Sequence, residues 1–418
     1  MRISENVSEI LEIKKNLLPF RENLRGELGE FILNSLKPAE NFEQLKKREK
    51  LLQEWLDLTD HEGEFNFNAS LEPISPMFEG AKRSGILSGE ELLKVRLLLN
   101  TAKNIRENLS AENYKSVDDL KHGIRDFSPE IEALNVIEDS GRLSDKASQK
   151  LLNVRIEIEN LKRTGRRISQ KLFEDSNITN MLQERSLSWR EGRFLFLVRQ
   201  EFINRFPGLA VERSASGNSV YMEPKALSNI NNHLIIKTKD EQDEERLILL
   251  ELTRNILKRE NAIINAERVI GTFDLLCTCD YLIRNKKWVI PELTQQKFFR
   301  LVGAKHPMLK DKAVPVDASC GEKFATLVIT GSNTGGKTVT LKTVGVFVTM
   351  AWLGLPLPAR DGTVIGTFDE IFVDIGDEQS IEQNLSTFSS HLKKIIHILK
   401  NSTSSSKSLI STAALIKL

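Results

Sequence analysis

Phe324-Ala325-Thr326-Leu327-Val328-Ile329-Thr330 runs directly into Gly331-Ser332-Asn333-Thr334-Gly335-Gly336-Lys337-Thr338. The first seven residues read as a buried strand. The next eight fit G-x-x-x-x-G-K-[ST], and Val339 opens an apolar helix. In that strand-loop-helix setting the glycines let backbone amides turn toward phosphate oxygens. Lys337 neutralises the β- and γ-phosphates, and the Thr338 hydroxyl can ligate magnesium. The positive end of the following helix lies on the same charge. The stretch therefore predicts a nucleotide site of residues 331–338, taking ATP and Mg2+.

Hydrolysis needs more: a carboxylate at the end of a neighbouring strand to hold the metal, and a second group to orient water. Glu382 is the last acidic residue, and Gln383 to Leu418 contains none. Ile371-Phe372-Val373-Asp374 reads as a strand ending in a metal-binding aspartate. The uncharged run from Thr343 to Ala359 is broken by Pro356 and Pro358, so it reads as a buried helix entering a loop and not as a membrane span.

Upstream of about residue 285 the pattern changes. Ala147, Leu151, Val154, Ile158, Leu161, Ile168 and Leu172 recur at three- and four-residue steps with one gap at Gly165, which predicts a long helical arm over about 144–175. A second charged helix is expected over about 240–270, with Leu247, Leu250, Leu257 and Ile264 as its apolar line. Two arms of similar length suggest an antiparallel pair. Between them, over about 183–230, Arg193-Phe194-Leu195-Phe196-Leu197-Val198-Arg199 and Ser219-Val220-Tyr221-Met222 carry strand chemistry, separated by Pro207-Gly208 and Ser216-Gly217-Asn218. A small β-rich tip on a coiled-coil lever is the expectation. Arg163, Arg166 and Arg167 lie on the arm, and Arg190, Arg193 and Arg199 lie on the tip. They are either ordinary cations balanced by Glu184, Glu191, Glu201 and Glu212, or contacts for a nucleic-acid backbone, which needs only local positive charge. Residues 1 to about 135 read as short amphipathic helices. Ser88 with Glu91 forms a capping box ahead of Leu92, Leu93 and Val95.

The chain of 418 residues is too long for one hydrophobic core, so the expected division is 1–285 and 286–418. Its 59 basic against 58 acidic residues exclude capture of a nucleic acid by global charge, leaving a local patch. Cys277, Cys279 and Cys320 are too few for a disulfide framework or a closed zinc site, and read as reduced cytoplasmic thiols. Met1-Arg2-Ile3-Ser4-Glu5 has no apolar stretch of the kind a signal peptide carries. His306, His391 and His397 read as structural.

Gly331 to Thr338 continues as Val339-Thr340-Leu341-Lys342-Thr343-Val344-Gly345. Further on stands Asp374-Ile375-Gly376-Asp377-Glu378-Gln379-Ser380-Ile381-Glu382-Gln383-Asn384-Leu385-Ser386-Thr387-Phe388-Ser389-Ser390-His391. These stretches resemble the MutS ATPases, and more closely their second bacterial subfamily, MutS-II, which lacks the mismatch-sensing amino-terminal domain. Asp145-Lys146-Ala147-Ser148, Leu182-Gln183-Glu184, Ser214-Ala215-Ser216-Gly217, Glu223-Pro224 and His306-Pro307 extend the resemblance. It implies a mixed α and α/β architecture: a helical core with a coiled-coil lever and a small clamp, followed by an incomplete ABC-type P-loop ATPase domain. It also implies a homodimer in which Ser386 and Thr387 reach the partner's nucleotide, and it moves Asp374 from metal ligand to a coupling loop. The expected partner is double-stranded, branched or mismatched DNA, clamped so as to restrain recombination, with the ribosome as an alternative partner of related members. Ser332 replaces the family's usual proline. Ser408-Leu409-Ile410-Ser411-Thr412-Ala413 stands where the family's Walker B strand and its acids are expected, so this chain is expected to stop short of Walker B and of the Smr nuclease. Poor hydrolysis follows, and an inert nucleotide-binding fragment is the alternative reading.

Overall fold

The computed structural model describes residues 1–214, 217–324, 326–330, 336–373 and 416–417. They are largely helical with small sheets. The chain forms two compact units that are not contiguous in sequence: Met1–Pro73 with Leu98–Asp126 and Asn261–Leu418, and Ile74–Leu97 with Phe127–Glu260.

The second unit holds the arms. Ser148 caps the arm helix Gln149–Glu174, its hydroxyl accepting from the Leu151 amide at 3.0 Å and donating to Glu244 at 2.8 Å. The return helix spans Ser228–Leu257. The two run antiparallel: Ser148 meets Glu244, Arg155 reaches Glu241 and Glu245 at 2.8 Å each, and Glu157 pairs with Lys237 at 2.8 Å. Their seam buries Val154, Ile158, Leu227 and Leu234 around Phe194. The apolar line expected over about 240–270 is a correction: it falls on two helices, Ser228–Leu257 and Glu260–Lys286, Leu247 is exposed, and the buried positions are Leu252, Ile256 and Ile263. Leu227 and Leu234 explain the earlier start, because they supply the seam at the tip end that residues after 240 cannot reach.

The gap at Gly165 has a physical cause. A β-carbon there would meet the Phe194 ring at 2.3 Å, so the missing side chain is where the tip's aromatic sits against the arm.

The tip is a four-stranded antiparallel sheet in the order β1-β2-β4-β3, with β1 Ser188–Arg190, β2 Arg193–Arg199, β3 Gly208–Arg213 and β4 Ser219–Pro224. Glu191 and Gly192, both at positive φ, form the two-residue turn joining β1 to β2, the geometry that matches strand twist. Ile178, Leu182, Phe196, Val198, Phe206, Val220 and Met222 form its core. Asn231 joins sheet to helix: it accepts from the Phe194 amide at 2.9 Å and donates to the Phe194 carbonyl at 3.1 Å, completing a ladder position that no strand fills. In the same unit the Ser88 capping box is present. Its amide donates to Glu91 at 2.7 Å and its hydroxyl accepts from the Glu91 amide at 3.2 Å.

In the first unit, the helix Glu260–Lys286 is buried along most of its length, with Phe273 against Trp55 at 5.4 Å between ring centres. Asp274 on this helix accepts from the amides of Arg25 and Gly26 at 3.1 and 3.2 Å, capping the helix Glu27–Ser35 from outside. A sheet in the order β5-β9-β6-β7 joins β5 Glu292–Leu293, β6 Phe299–Ala304, β7 Val316–Cys320 and β9 Val364–Ile365. The helix Lys337–Leu353 is buried from Thr343 to its end. It stops at Gly354, whose amide donates to Ala351 at 2.9 Å while Leu355 donates to Met350 at 3.1 Å. Pro356 and Pro358 then forbid continuation. Arg48 donates to the Leu353 carbonyl at 3.2 Å, placing a cation on the helix's negative end.

The strand expected over 324–330 is a correction. Only β8 Thr326–Leu327 is extended and paired, and among the described residues its one strand neighbour is β10 Ile416–Lys417. Phe324 and Val328 are exposed, because an apolar run is buried only where neighbours cover both faces. Residues 371–373 likewise form no strand; Ile371 donates its amide to the Arg2 carbonyl at 3.3 Å.

Candidate nucleotide and nucleic-acid sites

The structure describes the last three of the eight loop residues, Gly336, Lys337 and Thr338; Gly331, Ser332, Asn333, Thr334 and Gly335 lie outside the described residues. Gly336 has φ 78°, a left-handed conformation that costs a residue with a β-carbon, and it caps the helix that Lys337 begins. The Thr340 amide and hydroxyl both bond the Gly336 carbonyl, at 2.9 and 3.1 Å, which locks the first turn. The amides of Thr338 and Val339 then have no acceptor within the helix, and no acidic residue occupies that turn. Gly336, Lys337 and the exposed Thr338 thus fit a phosphate group.

One turn further, Lys342 donates to Glu12 at 3.0 Å. Hydrogen bonds from Lys15 and Lys342 hold the Glu12 carboxyl down at about 2. His306 is buried nearby with no hydrogen-bond partner for Nδ1. Burial, then the Lys342 ammonium, push its pKa below the ordinary value. The Cys277 thiol is pushed up to about 12 by burial, and none of the three cysteines is in a disulfide. Among the described residues no group of three or more His, Cys, Asp or Glu side chains could hold a metal ion. Asp374, Ser386, Thr387, His391 and His397 lie outside the described residues.

The structure separates the six candidate arginines into two groups. In the tip, Arg190 donates to Glu212 at 3.0 Å and to the Tyr221 hydroxyl at 2.8 Å, with its guanidinium 3.9 Å from that ring's centre. Arg193 is bound to Glu223, a buried carboxylate. Those two arginines hold the tip together. On the arm, Arg163, Arg166 and Arg167 are exposed and form no ion pair among the described residues, and Arg199 at the end of β2 shares that condition. The three arm residues occupy one face of the helix, opposite the buried Val154, Ile158 and Gly165. What the sequence does not show is the pairing of Glu223 with Arg193 and of Tyr221 with Arg190, which depends on how the strands of the tip are placed.

The family description MutS domain V matches residues 327–412. Across nearly the whole chain, an endonuclease MutS2 of Shouchella clausii is 33% identical over 405 residues, covering 94% of this chain and 51% of its own length. An endonuclease MutS2 of Clostridium beijerinckii is 34% identical over 412 residues, covering 96% and 51% respectively. The chain belongs to the MutS2-like family. It spans about half the length of the curated MutS2 relatives it matches. Another such relative, from Listeria monocytogenes, is 34% identical over 418 residues, covering 95% of this chain and 51% of its own length. Among the described residues no helix is long and apolar enough to cross a membrane.

Proposed function

We propose that this chain is the arm and ATPase part of a MutS-type DNA-binding protein. ATP with Mg2+ seats in an ABC-type P-loop domain at residues 331–338. Nucleotide state opens and closes the coiled-coil arms on branched or mismatched double-stranded DNA, restraining recombination. The assembly is a homodimer in which Ser386 and Thr387 reach the partner's nucleotide. No nuclease activity is proposed.

The observation that carries the reading is the row Arg163, Arg166 and Arg167, exposed and in no ion pair among the described residues, on the face opposite the arm's buried seam; Glu159, a turn away and bound to Lys162, acts on Arg166 and Arg163 by charge alone. Such a row meets phosphates by charge and leaves base sequence unread, as a clamp on a DNA shape requires. Arg199 extends the cationic surface onto the tip. Toward the nucleotide, Gly336 and the first-turn amides with Lys337 would hold phosphates, and the Thr338 hydroxyl would hold the ion. Bound ATP supplies the free-energy difference between open and closed states; the residues described here supply its seat.

Fluorescence anisotropy with a labelled four-way junction and a linear duplex tests the reading. The unaltered protein should bind the junction, while Arg163→Gln/Arg166→Gln/Arg167→Gln should lose most of that affinity. Lys337→Ala should lose affinity for a non-hydrolysable ATP analogue and keep the fold. Equal junction binding by the triple variant would place the DNA surface elsewhere.

A further inference from the structure

The Leu11-Glu12 corner is built unusually. Glu12 has φ 51°, a left-handed conformation uncommon for a residue with a side chain, between the short helices Glu5–Ile10 and Ile13–Asn16. The corner is pinned from inside: the Asn16 side chain, fully buried, donates to the carbonyls of Leu11 and Glu12 at 3.0 and 3.1 Å. Turned this way, the corner presents two groups to the phosphate-loop helix. The Leu11 side chain fills the notch at Gly345, where a β-carbon would meet its methyl at 2.8 Å. The Glu12 carboxylate meets Lys342 at 3.0 Å. Thr338, Lys342 and Gly345, spaced by four and three residues, share one face of that helix. A second backbone outlier repeats the device nearby: Lys310, at φ 45°, reaches Glu22 at 3.0 Å. Non-glycine residues held at positive φ persist where surrounding bonds over-determine them, and they are common at active sites, ligand clamps and switch regions.

We infer that the Leu11-Glu12 corner is a positioning element for the phosphate-loop helix, so that seating of the chain's first sixteen residues and nucleotide occupancy at Lys337 are coupled. The inference rests on the nucleotide reading above for its ligand, and on packing alone for its mechanical part. Leu11 fixes the helix by volume and Glu12 fixes it by charge, one turn from Thr338. Coupling of this kind is reciprocal: whatever the corner adds to nucleotide affinity, nucleotide adds to the corner's protection.

Amide hydrogen exchange on the full chain tests it, with and without the magnesium complex of a non-hydrolysable ATP analogue. Two variants act by different means: Leu11→Ala opens the notch, and Glu12→Gln/Lys342→Met removes the pair without changing net charge. Without nucleotide, both should speed exchange across 337–345 by about threefold to tenfold, the range for losing a partly exposed pair or part of a buried contact. With nucleotide, the unaltered protein should gain protection at residues 8–16 as well as 337–345. Protection confined to 337–345, or variants that exchange like the unaltered protein there, would overturn the inference. Should the unaltered protein bind no analogue, the nucleotide reading fails, and the nucleotide-free comparison still decides the mechanical part.

Discussion

Arg166 and Arg193 belong to the same unit, yet only one keeps its charge open to solvent. The arm's arginines follow each other on a helix whose opposite face is consumed by the seam, and among the described residues they form no ion pair, Glu159 acting on Arg166 and Arg163 only through its charge. The tip's arginines sit in a twisted sheet where cross-strand neighbours lie close enough to be carboxylates, and Glu212 and Glu223 are there. Cation counts alone do not separate the two, since each carries three of the six candidate arginines. Partners decide which cations can meet a phosphate, and partners are a property of register.

That contrast can be broken at the joint between the two regions. Asn231→Ala should have the largest effect, about 2–4 kcal/mol of lost stability by denaturant titration, because it leaves both polar backbone groups of Phe194 buried and unpaired. The DNA comparison comes next. Removing three phosphate contacts should weaken junction binding roughly a hundredfold near 0.15 M salt, whereas Arg190→Gln should change it less than about threefold. Gly165→Ala should destabilise by about 1–3 kcal/mol although alanine favours helix, since the overpacking against Phe194 exceeds the propensity gain of about 1 kcal/mol. A thermal melt would read it.

The smallest effects are those of pH on the other unit. Burial lowers the His306 pKa from its ordinary 6.5, so the folded protein resists a proton that the unfolded chain accepts. Its contribution is therefore complete above pH 6.5 and declines below it. The Glu12 carboxyl, held at about 2 against an ordinary 4.5, contributes fully above pH 4.5 and loses its part as pH falls through 2. Glu12→Gln should remove the lower step from an acid titration of stability and deepen the upper one slightly, because the Glu12 charge raises the His306 pKa, and His306→Phe should remove the upper step.

Much was legible wherever the determinants are local. Ser88 and Glu91 read as a capping box because the partners stand three residues apart. The run from Thr343 and the two prolines after it foretold a buried helix and its end. Gly165 was visible as a gap but not explained, since Phe194 arrives from a strand. The strand before the loop is shorter than its chemistry implies: Leu327, Val328 and Ile329 are strand formers, but among the described residues of that stretch only Thr326–Leu327 is paired. Asn231 gave no sign at all, because an asparagine in a charged helix is ordinary until a backbone edge is placed beside it. In the candidate sites, the start of a helix at Lys337 just after Gly336 follows from pattern. The division of the six arginines follows from contacts between residues far apart in sequence.

The salt dependence of junction affinity tests the arm surface most directly. Between 0.05 and 0.3 M salt, the slope of log affinity against log salt should be shallower by about 2.7 in the Arg163, Arg166 and Arg167 triple variant, about 0.9 for each lost contact, and unchanged in Arg190→Gln. A triple variant with the slope of the unaltered protein would contradict the account.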